Sequence, residues 1–216
     1  MDDPTGELTD IAESTLATRR HGTFRAVAFR DPADGAEHLA LVLGRVRGRR
    51  DVLVRVHSEC LTGDVFGGAR CECGDQLHAA LDALVAAGAG VLVYLRGQEG
   101  RGIGLVAKTR TQILQDEQGL DTVDSATALG LPVDVRDYGP AARVLRHLGV
   151  RSVRLLSNNP DKVRALVAYG VPVTARMPLL APVHEGNVGY LTAKRDRLGH
   201  DLPHLDPVAD GRAGHE

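Results

Sequence analysis

Hydrophobic positions along this chain follow two periods. Apolar runs of strand length, rich in Val and Leu and bounded by Gly, Pro or Asn, occur at HLALVLGRV, DVLVRVHS, GVLVYLRG, PVDVRDY, SVRLLSNN and PVTARMPL. Between them, CGDQLHAALDALVAAG sets Leu77, Ala80, Leu81, Leu84 and Val85 at helical spacing and stops at Gly88, as an amphipathic helix does. GLVAKTRTQILQDEQG, GPAARVLRHLG, PDKVRALVAYG and YLTAKRDRLG read in the same way. Helix and strand alternate from Cys73 onward, whereas the first 58 residues read as a strand-rich hairpin region. The pattern predicts a mixed α/β (α+β) fold. One continuous domain is expected over residues 21–200, after an N-terminal extension, 1–20, and before a flexible tail, 201–216, rich in Gly, Asp and Pro.

Composition narrows the function classes. With 43% hydrophobic and 25% charged residues, 216 residues suffice for a core without disulfide staples. A formal net charge of -2 gives no long-range pull toward nucleic acid or an anionic membrane, so any anionic ligand must be held by local groups. The arginines of GRVRGRRD read as a solvated turn, because aromatic residues total 3% and no stacking platform accompanies them. No apolar run approaches the roughly 18 residues of a membrane span. Only three of the 26 basic residues are lysines, Lys108, Lys162 and Lys194. An ammonium is a compact point charge, so lysines that survive such an arginine bias mark positions where that geometry matters.

All three cysteines fall within HSECLTGDVFGGARCEC, and such an odd, clustered set points to reduced thiols and the cytoplasm. Cys71 and Cys73 are two apart and point the same way in extended backbone; with Cys60 they make a three-thiolate cup. Soft thiolates select zinc, since an iron-sulfur cluster wants a fourth cysteine that this chain lacks. His57, three residues before Cys60, can close a structural Cys3His site; alternatively three thiolates leave a position for water. The absence of paired C-x2-C knuckles favours the open site. Glu59 adjoins the first ligand and offers a further contact.

Three more polar clusters stand out. RGQEGRGIGL follows a strand and opens a helix; its glycines allow close backbone approach to a flat or charged ligand, but it matches neither a Walker loop nor a dinucleotide fingerprint. PVDVRDY, read as a strand, displays Asp134 and Arg136 on one face, as a site or as a surface ion pair. LLSNNPDKV ends a strand and starts a helix at Pro160, with Lys162 unfavourably placed for the helix dipole unless it faces an anion. Lys194, Arg195 and Arg197 read as a solvated helix face.

Taken together, RVHSECLTGD, RCECG, GQEGRGIGL, DTVD, DVRDY and LLSNNPDKV resemble GTP cyclohydrolase II, in this order and from about Arg20 to His200. That family opens the imidazole ring of GTP and releases formate from C8 and pyrophosphate. It leaves a diaminopyrimidine ribosyl phosphate for riboflavin synthesis. The resemblance implies that Cys60, Cys71 and Cys73 hold one zinc ion, and that Mg2+ accompanies the pyrophosphate. It further implies that Arg55, Val56, His57, Ser58, Glu59, Gln76, Glu99, Gly100, Arg101 and Thr122 contact the nucleotide. Lys162, and Ser157 where Thr is usual, correspond to further GTP contacts. Asp134 matches the family's proton acceptor, and Arg136 the residue that takes up the guanylyl group as pyrophosphate leaves. A homodimer is implied as well.

This chain departs from the family at two places. KTRTQILQ puts Gln112 where the family has a tyrosine, and a neutral amide positions water but cannot act as an acid. VDSA puts Ala126 where an asparagine is usual. Two alternatives follow: an enzyme that stops at the formylamino pyrimidine and retains C8, serving specialised metabolism, or a non-catalytic, zinc-stabilised nucleotide-binding module.

Overall fold

Val and Leu alternate through the centre of the chain because they line both faces of one sheet. The computed structural model describes residues 7–205, so residues 1–6 of the expected extension and 206–216 of the expected tail lie outside the described residues. Seven strands, β1 (Thr9–Thr18), β2 (Gly22–Arg30), β3 (Glu37–Leu43), β4 (Val52–Ser58), β5 (Gly90–Leu95), β6 (Val153–Leu156) and β7 (Val173–Met177), run in the order β1-β2-β3-β5-β4-β6-β7. The β1-β2-β3 meander is antiparallel and joins β5 antiparallel, while β5-β4-β6-β7 is parallel. The strand-rich start and the later alternation thus share one mixed sheet.

Seven helices connect and cover it: α1 (Leu61–Asp64), α2 (Cys73–Ala87), α3 (Leu105–Gln118), α4 (Thr122–Ala128), α5 (Gly139–His147), α6 (Pro160–Ala168) and α7 (Val188–Leu198). In β4, Val52, Val54 and Val56 join a core with Ala141, Val144 and Leu145 of α5 and Leu166 of α6. On the opposite face Leu53 joins Ala80, Leu81 and Leu84 of α2. Each such fully buried side chain contributes roughly 1.5–3 kcal/mol, which fixes the register and carries the polar residues at the strand ends with it.

Three expectations need correction. PVDVRDY is a loop: the Asp134 carboxylate accepts the Arg136 N–H at 3.1 Å, a local turn that competes with a ladder, and Val135 N–H reaches Arg101 O at 3.1 Å. Val85 is 45% exposed, so the buried stripe of α2 ends at Leu84. Helix α4 was not among the expected helices; Asp121 caps it, accepting from Val123 and Asp124 N–H at 2.7 and 2.8 Å. Within the expected extension, residues 9–18 form β1, which is exposed along most of its length.

One buried ion pair ties α5 to the residue that follows β2. Arg143 of α5 donates from Nε and Nη2 to both carboxylate oxygens of Asp31 at 2.6 and 2.7 Å, and both side chains are buried. Removing one partner strands a charge, so Asp31→Ala should lower unfolding stability by about 3–5 kcal/mol in urea melts. Asp31→Leu combined with Arg143→Met should recover most of that loss; recovery of none would show that packing, not charge, sets the cost.

Candidate active site

The carboxyl ends of β4, β5 and β6 open onto a single cavity of about 410 Å³, the place where parallel α/β sheets present ligand-binding loops. Strand β4 contributes Arg55, His57 and Ser58; Gln98 to Arg101 follow β5; Ser157 to Asn159 follow β6.

The cysteines meet at helix starts. Cys60 precedes α1 and Cys73 is the first residue of α2, so two of the three sulfurs are placed where helices begin. The three Sγ atoms lie within 4.8 Å of one another, with Cys60 and Cys71 at 3.7 Å. Gly63 makes room for them: a Cβ there would stand 2.9 Å from Cys71 Sγ and 3.2 Å from Cys60 Sγ. Cys60 is held well below the usual thiol range because Cys71 and Cys73 donate to it. The same contact pushes Cys71 up to about 11 and Cys73 well above its ordinary value. Three thiolates in one cup therefore need a cation, and the all-sulfur donor set fits a soft divalent metal. Among the described residues the metal-competent group consists of these cysteines alone. His57 Nε2 instead faces the Asp64 carboxylate at 3.0 and 3.1 Å, and Asp64 also accepts from Cys60 N–H and Tyr94 OH.

Beside the cup, Lys108 Nζ lies 3.2 Å from Cys60 Sγ and donates to Thr62 Oγ1 and Glu99 Oε1 at 2.8 and 2.7 Å. Burial opposes its charge, but the Glu99 carboxylate and the Cys60 sulfur hold its pKa above the ordinary lysine value. Gly100, Arg101 and Gly102 all have positive φ, at 59°, 67° and 89°. A left-handed arginine is strained, and here the turn delivers a guanidinium to the cavity wall. Arg101 Nη1 and Nη2 are buried with no hydrogen-bond partner among the described residues.

Opposite lies a cluster of cations. Arg55 donates to Leu156 O at 3.0 Å and Gln76 Oε1 at 2.9 Å, and burial lowers its pKa to about 10. Lys162 donates to Val56 O at 2.8 Å; burial, then Arg55 and Arg136, push its pKa well below the ordinary value. Arg136 Nε donates to Asp134 Oδ1 at 2.9 Å, and despite burial Arg136 keeps Asp134 below the usual carboxylate range. His200 is pushed down to about 2, first by burial and then by Lys194, Arg101, Arg136 and Lys162.

Of the site residues expected from sequence, all but Val56 and Asp134 line the cavity, Gln112 and the three cysteines included. The Val56 side chain packs into the sheet core, leaving only its carbonyl toward Lys162. Asp134 is reached through Arg136. Helix α7 corrects another expectation. Lys194 is not on a solvated face; it is 9% exposed, contacts the buried Glu72 carboxylate between Cys71 and Cys73, and sits 5.1 Å from the centre of the Tyr190 ring. Glu72, Tyr190 and His200 were not singled out by sequence. The scarcity of lysine was the one available signal, and all three lysines line the cavity.

A family model described as GTP cyclohydrolase II matches residues 9–178. The chain is 60% identical over 186 residues to GTP cyclohydrolase-2 of Streptomyces coelicolor, covering 86% of this chain and 83% of that protein. It is 54% identical over 204 residues to riboflavin biosynthesis protein RibBA of Salinispora arenicola, covering 94% of this chain and 48% of RibBA. The chain thus spans about half the length of that relative. Among solved structures, RibBX, a two-domain 3,4-dihydroxy-2-butanone 4-phosphate synthase from A. baumannii, is similar with a TM-score of 0.46 at 21% identity, over 83% of this chain and 42% of that one.

Metal content tests the cup. Protein reconstituted with zinc and dialysed should retain about one equivalent per chain by atomic absorption, as a site with three protein ligands does. Cys60→Ser, Cys71→Ser and Cys73→Ser should each fall below about a tenth of that, whereas His57→Gln should retain it.

Proposed function

The chain belongs to the GTP cyclohydrolase II family of riboflavin biosynthesis, whose members are hydrolases acting on GTP, and we propose that it opens the imidazole ring of GTP with release of formate and pyrophosphate. The product is then a diaminopyrimidine ribosyl phosphate. The observation that carries this reading is the partnerless Arg101 guanidinium, buried in a cavity where Arg55 and Lys162 also lack a carboxylate partner, beside a three-sulfur cup. Such a cavity is built for a polyanion next to a metal.

Cys60, Cys71 and Cys73 are the residues that hold zinc in this proposal. A zinc ion so held is a Lewis acid that lowers the pKa of water toward about 7, the chemistry needed for attack at C8. The chain's own groups do the rest. Arg101 and Lys162 grip phosphate oxygens, Lys162 from the first turn of α6. An anion in contact restores the ammonium charge that burial disfavours at Lys162. Arg136 takes up the guanylyl group as the bond to pyrophosphate breaks, and Asp134, bonded to its Nε, accepts the guanidinium proton. Magnesium accompanies the pyrophosphate. A homodimer belongs to the same proposal and is measured by sedimentation; exposed β1, and Phe66 at 75% exposure, offer surface for it.

A second reading rests on Gln112. Its amide lines the cavity and forms no side-chain hydrogen bond among the described residues, so it can hold water but supplies no proton. The enzyme then stops at the formylamino pyrimidine and retains C8. A closed Cys3His binding module is not favoured, because no His57 nitrogen joins the group of three sulfurs and its Nε2 faces Asp64.

Incubation with GTP, zinc and magnesium should give pyrophosphate and a ring-opened pyrimidine by mass spectrometry, and chelation should abolish both. Formate equal to pyrophosphate selects the first reading, absence of formate selects the second, and unchanged GTP rejects both. Arg101→Ala should lower kcat/KM for GTP roughly 10- to 100-fold, the worth of a charge-assisted hydrogen bond of about 1.5–3 kcal/mol.

A further inference from the structure

The family model ends at residue 178, so that match assigns no role to α7, yet Tyr190, Lys194 and His200 from the segment beyond it line the cavity. Releasing formate from a formylamino group requires a proton on the departing nitrogen. Gln112 cannot give one, and most acids in the cavity are committed. Glu99 is held by Lys108 Nζ at 2.7 Å and Leu61 N–H at 2.6 Å, and Glu59 by Gly97 N–H at 2.7 Å. Lys194 is engaged by Glu72 and Lys162 by the Val56 carbonyl. The His200 imidazole, surrounded by cations, stays neutral and has no acidic proton to spend.

Tyr190 is different. Lys194 Nζ lies over its ring at 5.1 Å and the Arg101 guanidinium at 6.0 Å. Lys194 in turn rests on Glu72, flanked by the metal-competent Cys71 and Cys73, so two side chains, Lys194 and Glu72, link the ring to the cup. Its hydroxyl has no hydrogen-bond partner among the described residues. Burial keeps the phenol protonated, against the pull of the two cations.

We propose that Tyr190 is a further catalytic residue, the proton donor to nitrogen when the formyl group leaves, standing in for the phenol that position 112 lacks. The inference rests on the GTP ring-opening reading. Water adds its oxygen to the formyl carbon and the C–N bond breaks with its electron pair on nitrogen. The Tyr190 hydroxyl proton passes to that nitrogen, the proton shed by the water returns to the phenolate, and formic acid ionises in solvent.

The test compares formate, pyrophosphate and pyrimidine products from wild type, Tyr190→Phe and Tyr190→Phe with Gln112→Tyr, each with measured zinc content. The wild type should release formate equal to pyrophosphate. Tyr190→Phe should keep its zinc and release pyrophosphate within about threefold of wild type, while formate release slows by roughly 100-fold or more and the formylamino pyrimidine accumulates. Adding Gln112→Tyr should restore formate. Unchanged formate per pyrophosphate in Tyr190→Phe overturns the inference, as does loss of pyrophosphate release along with formate, which marks a binding or packing role. A wild type that opens GTP without formate also overturns it, yet leaves ring opening intact; a wild type inert toward GTP removes the underlying reading itself.

Discussion

Unbalanced positive charge around one cavity is the constraint around which this molecule is organised. Arg55, Arg101, Arg136, Lys162 and Lys194 surround one cavity, and only Arg136 and Lys194 meet a carboxylate, Asp134 and Glu72 respectively. Burying a charge without an opposite partner is costly, so the chain bears this cost with a sheet whose two faces are packed with Val, Leu and Ala. The sulfur cup poses the complementary problem, negative charge that needs a cation. Each half of the site is therefore incomplete electrostatically, and each specifies the sign of what it binds.

The fold translates that constraint into positions. Period-two packing of β4 sends Val54 and Val56 toward α5 and carries Arg55 and His57 to the α2 side, where Arg55 meets Gln76. Because β4, β5 and β6 are parallel, their carboxyl ends coincide, and three loops distant in sequence converge. Slipping one strand by a residue would exchange core and cavity side chains together, so substrate recognition and core stability are coupled through register.

Much of this was legible in the chain, and the failures share a cause. Periodicity located β3 to β7 and the longer helices, and the spacing of Cys60, Cys71 and Cys73 announced the cup, because both signals are local. PVDVRDY misled because its apolar alternation is that of a strand, while the hydrogen bond from Arg136 N–H to the Asp134 carboxylate is a local competitor that alternation does not report. Lys194 misled more deeply. Its position near the end of α7 suits a solvated cation for the helix dipole, yet it contacts a residue 122 positions away. No pattern within α7 encodes Glu72. The only trace was compositional: a chain that otherwise uses arginine kept lysine at three positions, all of them at the cavity.

Helix α7 also explains how a site can tolerate a changed residue. The Lys194–Glu72 contact ties the loop between Cys71 and Cys73 to a helix that also carries Tyr190, so the metal cup and the far wall are one mechanical unit. Gln112 lies on α3, which packs on α4 as α4 packs on α7, and which touches the cup through Lys108. Gln112 itself makes no hydrogen bond to the sulfurs among the described residues, and α3 reaches them instead through Lys108, 3.2 Å from Cys60 Sγ. Under the proposed function, ring opening draws on the cup and the cations, whereas the later proton transfer draws on a hydroxyl of the cavity wall. On the proposed function the two stages use different groups, so the source of the second can change while the first is retained.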